Sequence, residues 1–192
     1  MNILVVHASR HGGTAGIAER IAEVLTAEGL HTVLAKAEDL PDPKGIDACV
    51  IGSGVYMGSW LKEGTAYLER YATTLATRPV WLFSSGPLLG SSAEKRSSGD
   101  LVEDALGPLD GPGSGGRKKV EGYAATFHAR GHRVFHGAFD PKDPPRVLSE
   151  RLVRLMPASK GLLPPGDYRP WDAIEAWARE IATALREPVT VG

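Results

Sequence analysis

Three stretches of small and hydroxylated residues interrupt apolar runs, and each is built to bind as readily as to pack. The first is "SRHGGT", Ser9 to Thr14, set between the β-branched run "NILVVH" and a helical pattern. Glycines let a backbone come close to a ligand and adopt positive φ. Ser9 and Thr14 offer hydroxyl donors, and the start of the next helix adds free N–H groups and partial positive charge. Ser9, Arg10, His11, Gly12, Gly13 and Thr14 therefore describe a cradle for one phosphate; the alternative is a strand-to-helix turn capped by Thr14. The second stretch is "GSGVYMGSW", Gly52 to Trp60. Tyr56 and Trp60 are suited to stacking on a flat ring and Met57 to its edge, unless the aromatics enter the core. The third is "SSGPLLG", Ser84 to Gly90, whose small residues leave backbone N–H groups free for the polar edge of such a ring, or make a simple turn.

These stretches need elements to hold them. Strands are predicted at 2–7, 31–36, 47–53, 80–85 and 132–139. Helices are predicted at 14–28, with Ile17, Ile21, Val24 and Leu25 on one face, and at 61–76, with Leu61, Tyr67, Leu68, Tyr71 and Leu75. A last helix at 171–186 places Trp171, Ile174, Trp177, Ile181 and Leu185 at helical spacing. The alternation implies an α/β chain, a flavodoxin-like doubly wound five-stranded parallel sheet with helices on both faces. Ligands of such sheets sit beyond the carboxyl ends of the strands, near the switch point. The three stretches follow strands one, three and four, so they fall at one end of one sheet.

The regularity breaks at 90–119, where "GSSAEKRSSGD" and "GPLDGPGSGGRKK" read as a long Gly/Ser-rich surface loop with a short helix at 100–106. "DPKDPP" (140–145) leads to a basic amphipathic helix at 146–156, and "GLLPPGDYRP" (161–170) links to the last helix. With 192 residues, the chain reads as one domain, 1–192.

Composition narrows the chemistry. Hydrophobic residues make up 42% and charged residues 23%, with a net charge of −1, which leaves no footprint for nucleic acid. A lone cysteine, Cys49, sits in an apolar run and reads as core. "MNILVVHASR" lacks the basic start and apolar centre of a signal peptide, and no apolar run reaches the ~20 residues of a membrane span. The expected compartment is cytoplasmic, with membrane contact at most peripheral. Neither G-x-x-x-x-G-K-[ST] nor G-x-G-x-x-G follows strand one, which disfavours a nucleoside triphosphatase and a dinucleotide fold. His128, His132 and His136 are spaced four apart, but Gly131 and the β-type "RVFHGAF" break the helix that a zinc site on them would need. "SWLK" (59–62) and "SAEK" (92–95) fit S-x-x-K without its partner motifs. No metal is expected. A monophosphate ligand on this fold points to FMN.

The chain resembles a known family. "SRHGGT" looks like the flavodoxin phosphate loop, [TS]-x-T-G-x-T, with His11 where the pattern has Thr. "ASRHGGT" is closer to the S-x-R-D-G-x-T loop of the flavodoxin-like menaquinone-dependent protoporphyrinogen oxidases. "VIGSGVYMGSW" is similar to their second loop, "HRVFHGAFDP" to their fifth strand and "WDAIEAWAREIA" to their final helix. The resemblance implies that Ser9 to Thr14 hold the FMN phosphate. It implies that Ser53, Gly54, Val55 and Tyr56 lie along the flavin, and that Ser84, Ser85 and Gly86 face its other edge. It implies an FMN-dependent oxidoreductase passing electrons from a small reduced substrate, a porphyrinogen, to a quinone or other acceptor, and a homodimer is the prior. An electron-carrier flavodoxin and an FMN-dependent quinone reductase are the alternatives. The net charge of −1 lacks the acidity that steers such carriers to partners. In "RVLSERLVRL", Arg151 and Arg154 offer charges for the propionates of a porphyrin or for a membrane surface, beside the simpler role of a helix covering the sheet edge.

Overall fold

The computed structural model describes residues 1–56, 59–86, 114–139 and 166–187. Met57, the expected helices at 100–106 and 146–156, and Arg151 and Arg154 lie outside the described residues.

Five strands pair in parallel: β1 (Asn2–Ala8), β2 (His31–Lys36), β3 (Ala48–Tyr56), β5 (Val80–Gly86) and β6 (Gly131–His136). Their order is β2-β1-β3-β5-β6. The direction of winding reverses between β1 and β3, which opens a crevice at their carboxyl ends. A two-residue strand, β4 (Ser59–Trp60), folds back antiparallel on the end of β3.

The central strands β1, β3 and β5 are buried on both faces, which explains their apolar runs, while the edge strand β2 is exposed. Successive residues point to opposite faces. On one face Ile3, Val5, Val50, Trp81, Phe83 and Phe135 meet helix α1 (Gly13–Ala27) and the C-terminal helix α5 (Trp171–Arg186). Trp177 of α5 meets Phe83 and Phe135 edge-on, with ring centroids at 6.3 and 5.7 Å. On the other face Leu4, Val6, Ile51, Val80 and Leu82 pack against Tyr67 and Leu68 of α2 (Lys62–Arg70) and Leu75 of α3 (Ala72–Leu75). Val120 of α4 (Ser114–Thr126), with Phe127 just beyond it, completes that layer.

Four elements differ from the sequence expectation. The stretch 90–119 does not end as a loop: α4 begins at Ser114. Its opening "SGG" has poor helix propensity, and burial of Val120 and Phe127 outweighs it. The helix expected at 61–76 breaks at Tyr71 (φ −108°, ψ 18°), whose hydroxyl reaches across to donate to the Leu40 carbonyl at 2.8 Å. The strand expected at 132–139 splits after His136. Its tail becomes β7 (Ala138–Phe139), which pairs antiparallel with β8 (Gly166–Asp167). Finally β3 runs on to Tyr56, so Gly54, Val55 and Tyr56 are strand residues.

Candidate functional site

Register brings the three stretches together. Ala8 is opposite Ser53, Ser53 opposite Ser84, and Ser84 opposite Val134, in one row across the sheet. One residue further on, Gly54 is opposite Ser85. The loops therefore leave the sheet at one level, beside the crevice.

The first loop is shaped for an anion. Gly12 stands at the start of α1 with φ +81°, a left-handed conformation that a side chain would strain. No side chain caps α1 and no acidic residue sits in its first turn, so the Thr14 cap weighed in the sequence is not formed. The first turn thus brings no negative charge of its own to the positive end of the helix. At the head of the loop the Ser9 hydroxyl oxygen is buried without a hydrogen-bond partner among the described residues. A buried polar atom left unpaired costs free energy, and a ligand oxygen would relieve it. The orphaned hydroxyl and the uncapped helix both fit a phosphate group.

The first loop touches the second stretch, and the second touches the third. A Cβ on Gly54 would lie 3.2 Å from Thr14 Oγ1, so β3 ends against the first turn of α1. The Arg10 guanidinium lies 4.4 Å over the ring of Tyr56, a cation–π pair, and the His11 ring lies 6.4 Å from it. Gly86 closes the row: its Cβ position lies 3.2 Å from the Val55 carbonyl. Ser85 is buried near Gly137, whose Cβ position is 3.4 Å from Ser85 Oγ. All thirteen residues singled out in the sequence thus sit at this one end of the sheet.

Their roles in the fold are unequal. Ser53 is 0% exposed; its hydroxyl donates to the Gly54 carbonyl and accepts from the Leu61 N–H, both at 3.0 Å. It ties the returning chain to β3. Trp60 is core, 5% exposed, and its indole N–H donates to Ser84 Oγ at 2.8 Å. Ser84 Oγ is also 2.9 Å from His132 Nε2. Burial pushes the His132 pKa down to about 4, against the weaker opposing pull of Glu121. His132 is therefore neutral near pH 7. Indole only donates, so Ser84 accepts from Trp60, and the Ser84–His132 bond runs in the direction set by the imidazole tautomer. This relay of Trp60, Ser84 and His132 was not foreseen. Only the aromatic at 60 signalled it, because His132 enters through strand pairing rather than spacing. The histidines at 128, 132 and 136 do not share a helix: His128 sits in a turn at φ +49°, while His132 and His136 belong to β6.

A second unforeseen group closes the site from the C-terminal side. Arg169 makes a two-pronged ion pair with Asp167, Nε to Oδ1 at 2.8 Å and NH2 to Oδ2 at 2.6 Å. The guanidinium holds the Asp167 carboxyl below its usual pKa. It also lies 4.4 Å over the Trp171 ring. "DYRPW" carries these residues, but nothing in it shows that they meet residue 13.

Comparison with known proteins agrees with this architecture. The Flavodoxin domain family model matches residues 4–140. No curated protein matches the chain. A cysteine-to-serine mutant of flavodoxin from Pseudomonas aeruginosa aligns with a TM-score of 0.57 at 17% identity, over 97% of this chain and 100% of that one. A flavodoxin from the domain Archaea gives 0.57 at 13% identity, over 97% and 100%. Rubredoxin oxygen:oxidoreductase from Desulfovibrio gigas gives 0.55 at 13% identity, over 96% of this chain and 36% of that one. The shared feature is the α/β fold with its parallel sheet.

Proposed function

The chain belongs to the flavodoxin-domain family, and from that premise we propose that it binds FMN at the carboxyl ends of β1, β3 and β5 and works as a redox protein. The observation that carries the reading is the loop Ser9–Thr14, with an orphaned buried hydroxyl and an uncapped helix start beside the switch point. In this reading Ser9, Gly12, Gly13 and Thr14 receive the phosphate, and Arg10 and His11 add positive charge or donors beside it. Gly54, Val55 and Tyr56 line one side of the ring, and Ser85 and Gly86 the other. Ser53 and Ser84 act from beneath, holding the strand ends in place. Bound FMN supplies hydride and electron transfer, while the protein supplies binding, orientation and electrostatics. No side chain is assigned as a catalytic acid or base. His132, neutral and hydrogen-bonded to Ser84, serves as a fixed partner for that hydroxyl.

For the reaction we propose an oxidoreductase of the protoporphyrinogen oxidase type, taking electrons from a porphyrinogen and passing them to a quinone or other acceptor. The likeness of "ASRHGGT" and "HRVFHGAFDP" to those enzymes supports it, and the net charge of −1 favours it over a free electron carrier.

The test is a titration of the purified protein with FMN, FAD and riboflavin, read by absorption and by quenching of flavin fluorescence. FMN binding with riboflavin bound far more weakly is the expected result. Failure of all three flavins to bind would overturn the reading. Turnover of porphyrinogen with a quinone acceptor then tests the reaction. Reduction of quinone without porphyrinogen oxidation would assign the quinone reductase instead, and FMN binding with neither turnover would assign an electron carrier.

A further inference from the structure

The candidate cradle and the first turn of α1 that follows it are glycine-rich, with Gly12, Gly13 and Gly16 within five residues. Such a backbone has more conformations to lose than any other, and ordering it on binding subtracts from affinity. A loop of this kind binds tightly only if something orders it beforehand. Its own helix does not supply a side-chain cap.

The segment 166–171 supplies the missing restraint. It lies beyond residues 4–140 that the family model matches. β8 pairs with β7, Ala138 opposite Asp167, and the Tyr168 N–H donates to the Gly137 carbonyl at 3.2 Å. This fixes the segment to the continuation of β6. A Cβ on Gly13 would lie 3.3 Å from the Ala138 N atom, so the loop rests directly on β7. From the other side comes Arg169, its side chain 18% exposed. Its NH1 reaches the Gly13 carbonyl at 3.5 Å, a long contact made by a charged donor. The guanidinium fills the space beside Gly16: a Cβ there would overlap Arg169 NH1 and touch Trp171 at 3.9 Å. Asp167 holds the guanidinium by two prongs, and the Arg169 N–H donates to the same carboxylate at 3.1 Å. Trp171, the first residue of α5, backs it with its ring face.

We propose that Arg169 is a positioning residue for the phosphate loop, a clip that lets the segment 166–171 hold the backbone at Gly13 and Gly16 in the shape a phosphate monoester needs. Its charge is largely met by Asp167, so it acts through the loop rather than on the ligand. The proposal rests on the FMN reading above.

The test is the ratio of riboflavin to FMN dissociation constants, measured on the full chain. Riboflavin lacks the phosphate, so a general loss of fold weakens both ligands and leaves the ratio unchanged. Arg169→Ala is expected to weaken FMN about tenfold, the scale of one lost charged hydrogen bond, and riboflavin by less than about twofold. Arg169→Lys keeps the charge but lacks the planar fork that grips Asp167, and is expected to behave like Arg169→Ala. Gly16→Ala is the decisive variant. It improves helix propensity while displacing the guanidinium, and the ratio should still fall about as far as in Arg169→Ala. A wild-type ratio near one would sink the phosphate reading itself. A wild-type protein that discriminates, with Arg169→Ala and Gly16→Ala keeping the ratio, would overturn the clip alone. Full retention by Arg169→Lys would do the same, since charge without the fork would then suffice.

Discussion

At the end of β1 the hydroxyl of Ser9 is buried with no partner among the described residues. At the ends of β3 and β5 the hydroxyls of Ser53 and Ser84 are committed, the first to Gly54 and Leu61, the second to Trp60 and His132. Three serines at one end of one sheet thus do opposite things. The β1 side leaves a donor unmet and accepts the cost, as a binding site does. On the β3 and β5 side Ser53 and Ser84 commit their hydroxyls to internal partners and tie together the floor of the crevice. Residue type alone does not separate a ligand contact from a structural one; the state of its hydrogen bonds does.

The largest expected effect is on the floor. Trp60→Ala removes a buried ring and the donor to Ser84, and should cost about 3–5 kcal/mol in denaturant unfolding. Ser84→Ala leaves the indole N–H and His132 unpaired, and should cost about 1–3 kcal/mol. Both variants should weaken FMN and riboflavin alike, and a selective loss of FMN would break the comparison.

The same floor should respond to acid. The folded-state pKa of His132 is lowered to about 4 from an ordinary 6.5. Between those values the unfolded chain takes up the proton first, so stability falls as pH drops through the window. The contribution is lost at up to about 1.4 kcal/mol per pH unit. His7, also lowered by burial, adds in the same direction. His132→Asn offers Ser84 a donor and an acceptor but cannot titrate, and melts recorded across this range should show a flatter profile than wild type. An unchanged profile would mean that His132 is not the group that titrates.

The smallest effect on stability is expected at the rim. Ser9→Ala deletes a hydroxyl that no described residue bonds, so the unligated protein should change by less than about 1 kcal/mol, and upward if at all. FMN affinity should nevertheless fall about tenfold in titration. A clear loss of stability without ligand would show that Ser9 belongs to the floor after all.

Much of this arrangement was legible before any coordinates. The strands β1, β2 and β5 fall almost where β-branched and aromatic runs placed them; β1 and β5 are buried on both faces and so apolar over most of their length, while β2 is an exposed edge strand. α1 and α5 were readable from the 3.6-residue spacing of Ile17 and Ile21, and of Ile174, Trp177 and Ile181. The loop Ser9–Thr14 stood out because glycines and hydroxyls have no packing reason to interrupt such runs. Less legible were the elements held by distant partners. The break at Tyr71 depends on the Leu40 carbonyl, and α4 depends on a sheet face that covers Val120. Trp60 read as a stacking ring as easily as a core one, because the partner that decides the matter, Ser84, is 24 residues away.

The chain by itself determined the parallel α/β layering, the gathering of its small-residue stretches at one end of the sheet, and the glycines and hydroxyls set before the start of α1. These follow from local patterns: apolar period, glycine and hydroxyl content, helix polarity. Tertiary structure alone decided which hydroxyl is left without a partner among the described residues, that His132 is half-buried and neutral, and that Arg169 sits beside Gly13 across 156 residues. Those outcomes depend on register and burial, which arise only when strands and helices distant in sequence are packed together.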